Sequence, residues 1–189
     1  QMEALMEEFA GDRPAPLFVM NTNGYDLAEQ IRRLEGRMHV YLPDLKYMDP
    51  DLSRRYSGCP DYPAVAQAAL REMFRQKGPE LVLDDQGGIE SGLIIRHLVL
   101  PGQVENSKAA LRFIARELSP EVTISIMAQY MPIPAVADDP ELGRRLSSAE
   151  YEEVLEELDR LSMENGWVQD LTSQDYYCPD FALSHPFEQ

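Results

Sequence analysis

Asp44 and Lys46 stand two residues apart at the end of the apolar run Val40-Tyr41-Leu42. Alternate residues of an extended chain point to one side, so Val40, Leu42, Asp44 and Lys46 share a face. An apolar face that ends in two opposite charges reads either as a structural ion pair or as the mouth of a site. A desolvated lysine at a strand end can form an imine with a carbonyl. The neighbouring Asp44 would instead hold it charged. Three further runs end the same way. The first ends in Asn21 and Asn23, which share a face. The third carries Arg96 and His97 on opposite faces, and the fourth closes on Ala128, Gln129 and Tyr130. In parallel α/β folds the carboxyl ends of the strands carry the site. Four strand ends that agree weigh more than any one residue. His39 and His185 read as packing or surface residues.

The elements that must position these residues alternate. "PLFVMNTNGY" predicts a strand and "DLAEQIRRLEG" a helix, with Asp26 and Glu29 as a capping box and Gly36 as its stop. "MHVYLPDLKYM" is the second strand. "DYPAVAQAALREMFRQKG" is a helix capped by Asp61, with Val65, Ala69, Met73 and Phe74 inward and Gly78 at its end. "ELVLDDQGGIESG" predicts a hairpin with its turn at Asp85 to Gly88. "LIIRHLVLPG" and "VTISIMAQYMP" are the third and fourth strands, separated by the helix "SKAALRFIAREL". The last helix, "SSAEYEEVLEELDRLSMENG", has Ser147 and Glu150 as its capping box. Residues 166 to 189 read as an irregular tail whose Trp167, Tyr176, Tyr177, Phe181 and Phe187 pack across the domain. This alternation predicts an α/β fold of about four βα units around a parallel sheet, as one domain over residues 1 to 189. The opening "MEALMEEF" is an amphipathic helix without a cap before it, which points to a chain cut from something longer.

Composition excludes several classes. Seventeen basic residues against 33 acidic ones give a net charge of −16. That opposes broad binding to nucleic acid or to anionic membranes. No apolar run approaches the roughly 20 residues of a membrane helix. No signal peptide is apparent, and few cysteines suit a cytoplasmic protein. Cys59 and Cys178 form neither a disulfide framework nor a ligand cluster by spacing, and each reads as a small packing residue.

"MNTNGY", "VYLPDLKYMDPDLSRRYSGCPDY", "GLIIRHLVLPG", "IMAQYMP" and "YYCPDF", in this order, resemble the relatives of pyruvate formate-lyase activating enzyme in the radical S-adenosylmethionine superfamily. The resemblance implies the C-terminal part of a partial (β/α)6 TIM-like barrel. It implies a [4Fe–4S] cluster on a C-x3-C-x2-C loop, reductive cleavage of S-adenosylmethionine, and a radical delivered to a partner such as a glycyl-radical protein. By motif, Asn21 stands where relatives place an acid before Thr-Asn-Gly, here Thr22, Asn23 and Gly24. Asp44 and Lys46 match an Asp-x-Lys pair near the methionyl moiety. Arg96 matches the arginine that opens an R-x-x-x-x-P strand, and Gln129 and Tyr130 lie on a loop that reaches the cofactor. These residues, Asn23 included, are the expected cofactor-binding set.

The departure is the cluster motif. Three thiolates at short spacing hold such a cluster, and this chain has two distant cysteines. The expectation is therefore a fragment, inactive alone, with no metal ligand of its own. Two other readings stand beside it: a lysine Schiff-base lyase on Lys46, and a non-catalytic binding module. An incomplete barrel would also leave a sheet edge open to another chain, a second copy included.

Overall fold

The strands of this protein at Val19–Thr22, Val40–Pro43, Ile89–Leu98 and Thr123–Met127 are each followed by a helix. The computed structural model describes residues 6–9 and 16–172. Strand β1 (Val19–Thr22) leads to helix α1 (Ala28–Arg33), and β2 (Val40–Pro43) to α2 (Pro50–Ser57) and α3 (Tyr62–Lys77). A two-residue strand β3 (Val82–Leu83) turns back into the long β4 (Ile89–Leu98), which leads to α4 (Val104–Phe113) and one π-helical turn (Ile114–Leu118). Strand β5 (Thr123–Met127) is followed by α5 (Ser148–Arg160) and β6 (Gly166–Val168).

The sheet runs β1-β2-β4-β5-β6, with every neighbouring pair parallel and β3 antiparallel on the start of β4. This is the expected α/β architecture, a mostly parallel sheet that fits part of a TIM-like barrel. Among the described residues β1 pairs with β2 alone, so it is an edge strand, and Val19 is 54% exposed. The described residues form no closed barrel.

Strand periodicity decides what each face does. Tyr41 and Leu45 of the β2 segment, Ile95 and His97 of β4, and Ile124 and Ile126 of β5 are buried. The facing helices supply Ala66, Ala69, Leu70 and Met73 from α3 and Ala110 and Leu111 from α4. Burying one such Leu or Met contributes about 1.5–3 kcal/mol. The deepest burial is therefore on the parity of Tyr41 and Leu45. Asp44 and Lys46 lie on the other, partly open face. That face is apolar only where Val40 and Leu42 begin it, and it opens at the strand ends.

Ser147 and Glu150 form the predicted capping box. The hairpin turn falls where expected, with Asp84 and Gly88 joined through the backbone. Asp26 and Glu29 do not cap α1, whose N-cap is Leu27 without a side-chain bond. Asp26 instead accepts from the Thr22 hydroxyl. Asp61 flanks α3 without capping it, because its carboxylate accepts the Tyr25 hydroxyl at 2.9 Å. Residues 166–168 are not irregular: they form β6. Gly166, at φ +130°, lies against the Ile124 carbonyl, where a Cβ would collide. Trp167 is 53% exposed rather than packed across the domain. Tyr176, Tyr177, Cys178, Phe181, His185 and Phe187 lie outside the described residues.

His97 is the buried ionisable ring of this core. Burial pushes its imidazole below the usual histidine value, against weaker opposing effects from the Leu45 carbonyl and Asp44. The folded state therefore disfavours the proton that the unfolded chain accepts near pH 6.5. Stability from this group is full above that pH and is lost as pH falls towards the depressed folded value. Proton NMR of the ring is expected to show its midpoint below pH 6.5. A midpoint above 6.5 would contradict the burial.

Candidate functional site

The site grows from the way β1, β2 and β4 end side by side. Asp44 follows β2 and bridges in parallel to Arg96. Its N–H donates to the Thr22 carbonyl at 2.9 Å, and the Leu45 N–H donates to the Arg96 carbonyl at 2.9 Å. Backbone pairing thus carries the strand register one residue past Pro43 and sets three side chains on one face.

Those side chains meet. Arg96 Nη2 donates to Asn21 Oδ1 at 2.7 Å and lies 2.7 Å from Asp44 Oδ1. The first contact has hydrogen-bond geometry. The second is a charge contact, since Asp44 Oδ1 has no well-angled donor. Lys46 Nζ stands 3.7 Å from Asp44 Oδ2. The side chains of Asp44 and Arg96 are 20% and 24% exposed, and that of Lys46 is 43% exposed. Arg96 Nε is buried and has no hydrogen-bond partner among the described residues. Two cations face one anion here, a local positive surplus in a chain of charge −16.

A cleft of about 320 Å³ opens at this point, lined by Asp44, Lys46, Tyr47, Arg96, Met127 and Gln129, with Leu98 and Leu100. Small-molecule sites are about 300 Å³ and upward, with apolar walls and a few placed polar groups. Gln129 lines it and accepts from Gln169 at 3.1 Å.

Two expected members stand apart. The Asn23 side chain accepts from the Tyr25 N–H at 3.0 Å and stays exposed, so only its carbonyl reaches the centre of the loop. Tyr130 does not line the cleft. Its hydroxyl donates to the Leu142 carbonyl at 2.7 Å and ties down the loop after β5. That loop is also held by Glu141, which accepts from Arg55 at 3.0 Å, Tyr56 at 2.9 Å and Gln103 at 2.9 Å.

Sequence reasoning missed Tyr62. Its hydroxyl lies 2.9 Å from both the Asn23 and Asp44 carbonyls and accepts from the Lys46 N–H at 3.0 Å. One hydroxyl staples the end of β1 to the end of β2. Burial pushes this phenol well above the usual tyrosine value, so it stays a neutral donor. Gly24 completes the junction, with φ at +80° and the Asp44 carbonyl where a Cβ would stand. Tyr47, Leu98, Leu100 and Met127 were missed as well. Tyr47 alone carried a signal, as the aromatic beside Lys46.

Among the described residues no group of three or more His, Cys, Asp or Glu side chains could hold a metal ion. With two cysteines in the whole sequence, the chain does not fit a three-thiolate [4Fe–4S] site. Nor is any helix among the described residues long and apolar enough to cross a membrane.

Fold and cleft together define a mostly parallel α/β sheet with a cleft lined by charged and apolar side chains at the carboxyl ends of its strands. No family model matches the chain. Uncharacterized protein MJ0674 of Methanocaldococcus jannaschii is 28% identical over 154 residues, which are 81% of this chain and 40% of that protein. The chain thus spans less than half the length of the curated relative it matches. The crystal structure of a domain of pyruvate-formate lyase-activating enzyme from Bacteroides vulgatus is similar with a TM-score of 0.60. That likeness covers 89% of this chain and 91% of the solved one at 14% identity, and it shows the fold.

Proposed function

We propose that this chain is the part of a radical S-adenosylmethionine enzyme that receives the methionyl end of the cofactor. The observation that carries the reading is the meeting of Asp44, Lys46 and Arg96 at neighbouring parallel strand ends, with a buried Arg96 Nε left unpartnered. The positive surplus suits one carboxylate, and Asp44 suits the cationic groups of the same ligand. Tyr47, Leu98, Leu100 and Met127 offer apolar surface for its less polar parts. When bound to a complete enzyme, S-adenosylmethionine supplies the radical chemistry. The residues of this chain bind and orient it.

The cluster does not fit this chain, and no step is derived through it. Iron and sulfide added anaerobically to the chain are expected to give no stable cubane absorbance. A stoichiometric [4Fe–4S] signal would contradict that expectation. The full-length protein is expected to carry C-x3-C-x2-C upstream and to release 5′-deoxyadenosine from S-adenosylmethionine. In line with the resemblance, we take the radical acceptor to be a second polypeptide. Absence of both the motif and the cleavage product from the full-length protein would overturn the reading.

The Schiff-base reading finds no support in the geometry. Lys46 is 43% exposed and beside a carboxylate, whereas an imine-forming lysine needs apolar enclosure.

A further inference from the structure

The segment 44–48 carries two of the three charged residues of the cleft, Asp44 and Lys46, yet its regular strand ends at Pro43. Beyond that point side chains from behind the sheet hold its backbone. His97 Nδ1–H donates to the Leu45 carbonyl at 2.6 Å. A carbonyl only accepts, so the ring hydrogen is on Nδ1. The neutral ring then accepts at Nε2 from the Ser107 hydroxyl at 2.9 Å. Asn106 donates to the Lys46 carbonyl at 2.9 Å and accepts from the Met48 N–H at 2.8 Å. His97 and Ser107 are fully buried, and Asn106 is 9% exposed. None of the three lines the cleft.

We infer that His97, Ser107 and Asn106 are positioning residues that set where Asp44 and Lys46 stand at the cleft. The two Asn106 bonds bracket Tyr47, a cleft wall, and the His97 bond falls on the residue between Asp44 and Lys46. Helix α4, through the Asn106 amide, and strand β4, through the His97 imidazole, therefore fix the spacing of Asp44 and Lys46. Satisfying buried backbone groups is the ordinary role of such bonds. Here five consecutive residues contain both charges, so a shift of their backbone moves the ligand groups directly. In catalysis, misplacement of a positioned group by about 1 Å can cost about 100-fold in rate.

The inference rests on the cofactor reading above, and its test separates the two. S-adenosylmethionine is titrated calorimetrically into the folded chain, well below each variant's melting temperature. Asn106→Ala and His97→Phe are each expected to lose at least tenfold in affinity. Asn106→Asp keeps the acceptor for Met48 but sets a carboxylate oxygen against the Lys46 carbonyl, so it is expected to lose at least as much as Ala. Ser107→Ala combined with His97→Phe is expected to be no worse than His97→Phe alone, because the hydroxyl acts through the ring. In ligand-free protein the amide resonances of Leu45, Lys46 and Met48 are expected to shift and exchange faster. The ring nitrogens of wild-type His97 are expected to report the Nδ1–H tautomer.

Variants that melt lower but keep wild-type affinity and unshifted 44–48 amides would overturn the positioning role. If wild type fails to bind S-adenosylmethionine, the cofactor reading falls, and the ligand-free amides decide the positioning role. If His97→Phe does not fold, Asn106→Ala and Ser107→Ala decide it.

Discussion

Gly24→Ala is expected to destabilise the protein by about 2–4 kcal/mol, because it combines a left-handed backbone penalty with a clash against main chain. The backbone there has φ at +80°, and the new Cβ would meet the Asp44 carbonyl and the Tyr62 hydroxyl. The carbonyl belongs to the β2 end, so relief requires the β1 and β2 ends to part. For a chain of this size the melting temperature should fall by about 5–15 °C. The same change breaks the Tyr62 staple, which joins Asn23, Asp44 and Lys46. Thermal melts of Gly24→Ala beside Gly36→Ala check this, since nothing lies within 4 Å of a Cβ at Gly36, where φ is +74°. Equal losses at the two glycines would show that backbone strain alone acts at Gly24.

Arg96→Ala is expected to be the most damaging substitution for ligand binding. It removes the group that joins Asn21 to Asp44 and takes away the unpartnered Nε donor. A hydrogen bond to a charged group is worth about 1.5–3 kcal/mol, or about 10- to 100-fold in affinity. Arg96→Lys should not restore it, since an ammonium lacks the planar guanidinium whose Nη2 meets both oxygens while Nε stays free to donate. Lys46→Ala offers the contrast. Its pair with Asp44 is long and partly exposed, and such pairs contribute about 0–1 kcal/mol to folding. Its loss should therefore weaken binding with little change in melting temperature. Calorimetric titration with S-adenosylmethionine and a thermal melt of each variant check both statements. Lys46→Ala with unchanged affinity and a lower melting temperature would favour a structural ion pair.

The strand ends were legible because a period of two is a strong signal. Parity put Asn21 with Asn23, and Asp44 with Lys46, on one face of their own strands, and Arg96 and His97 on opposite faces; the register between strands brought Asn21, Asp44 and Arg96 together. Parity does not say which face the helices cover. The buried face turned out to be that of Tyr41, Leu45 and His97, not that of Lys46. Caps were less legible for a different reason. Asp26, Asp61 and Ser147 all look like N-caps in sequence, yet only Ser147 lacks a better donor nearby. Thr22 and Tyr25 claim the other two carboxylates. Tyr62 and Asn106 escaped notice because their partners are 16 or more residues away, and no local pattern marks them. Strand β6 is three residues long and begins with glycine, too short to show an alternation. The resemblance supplied what spacing could not, namely the kind of ligand that this cleft would hold.

The most direct test is a titration of isotope-labelled chain with S-adenosylmethionine, followed residue by residue by NMR. A saturable response centred on residues 44–48, Arg96, Met127 and Gln129, and lost in Lys46→Ala, is the expected result. A saturable response centred elsewhere, or none at all, would contradict the assignment of this cleft to the cofactor.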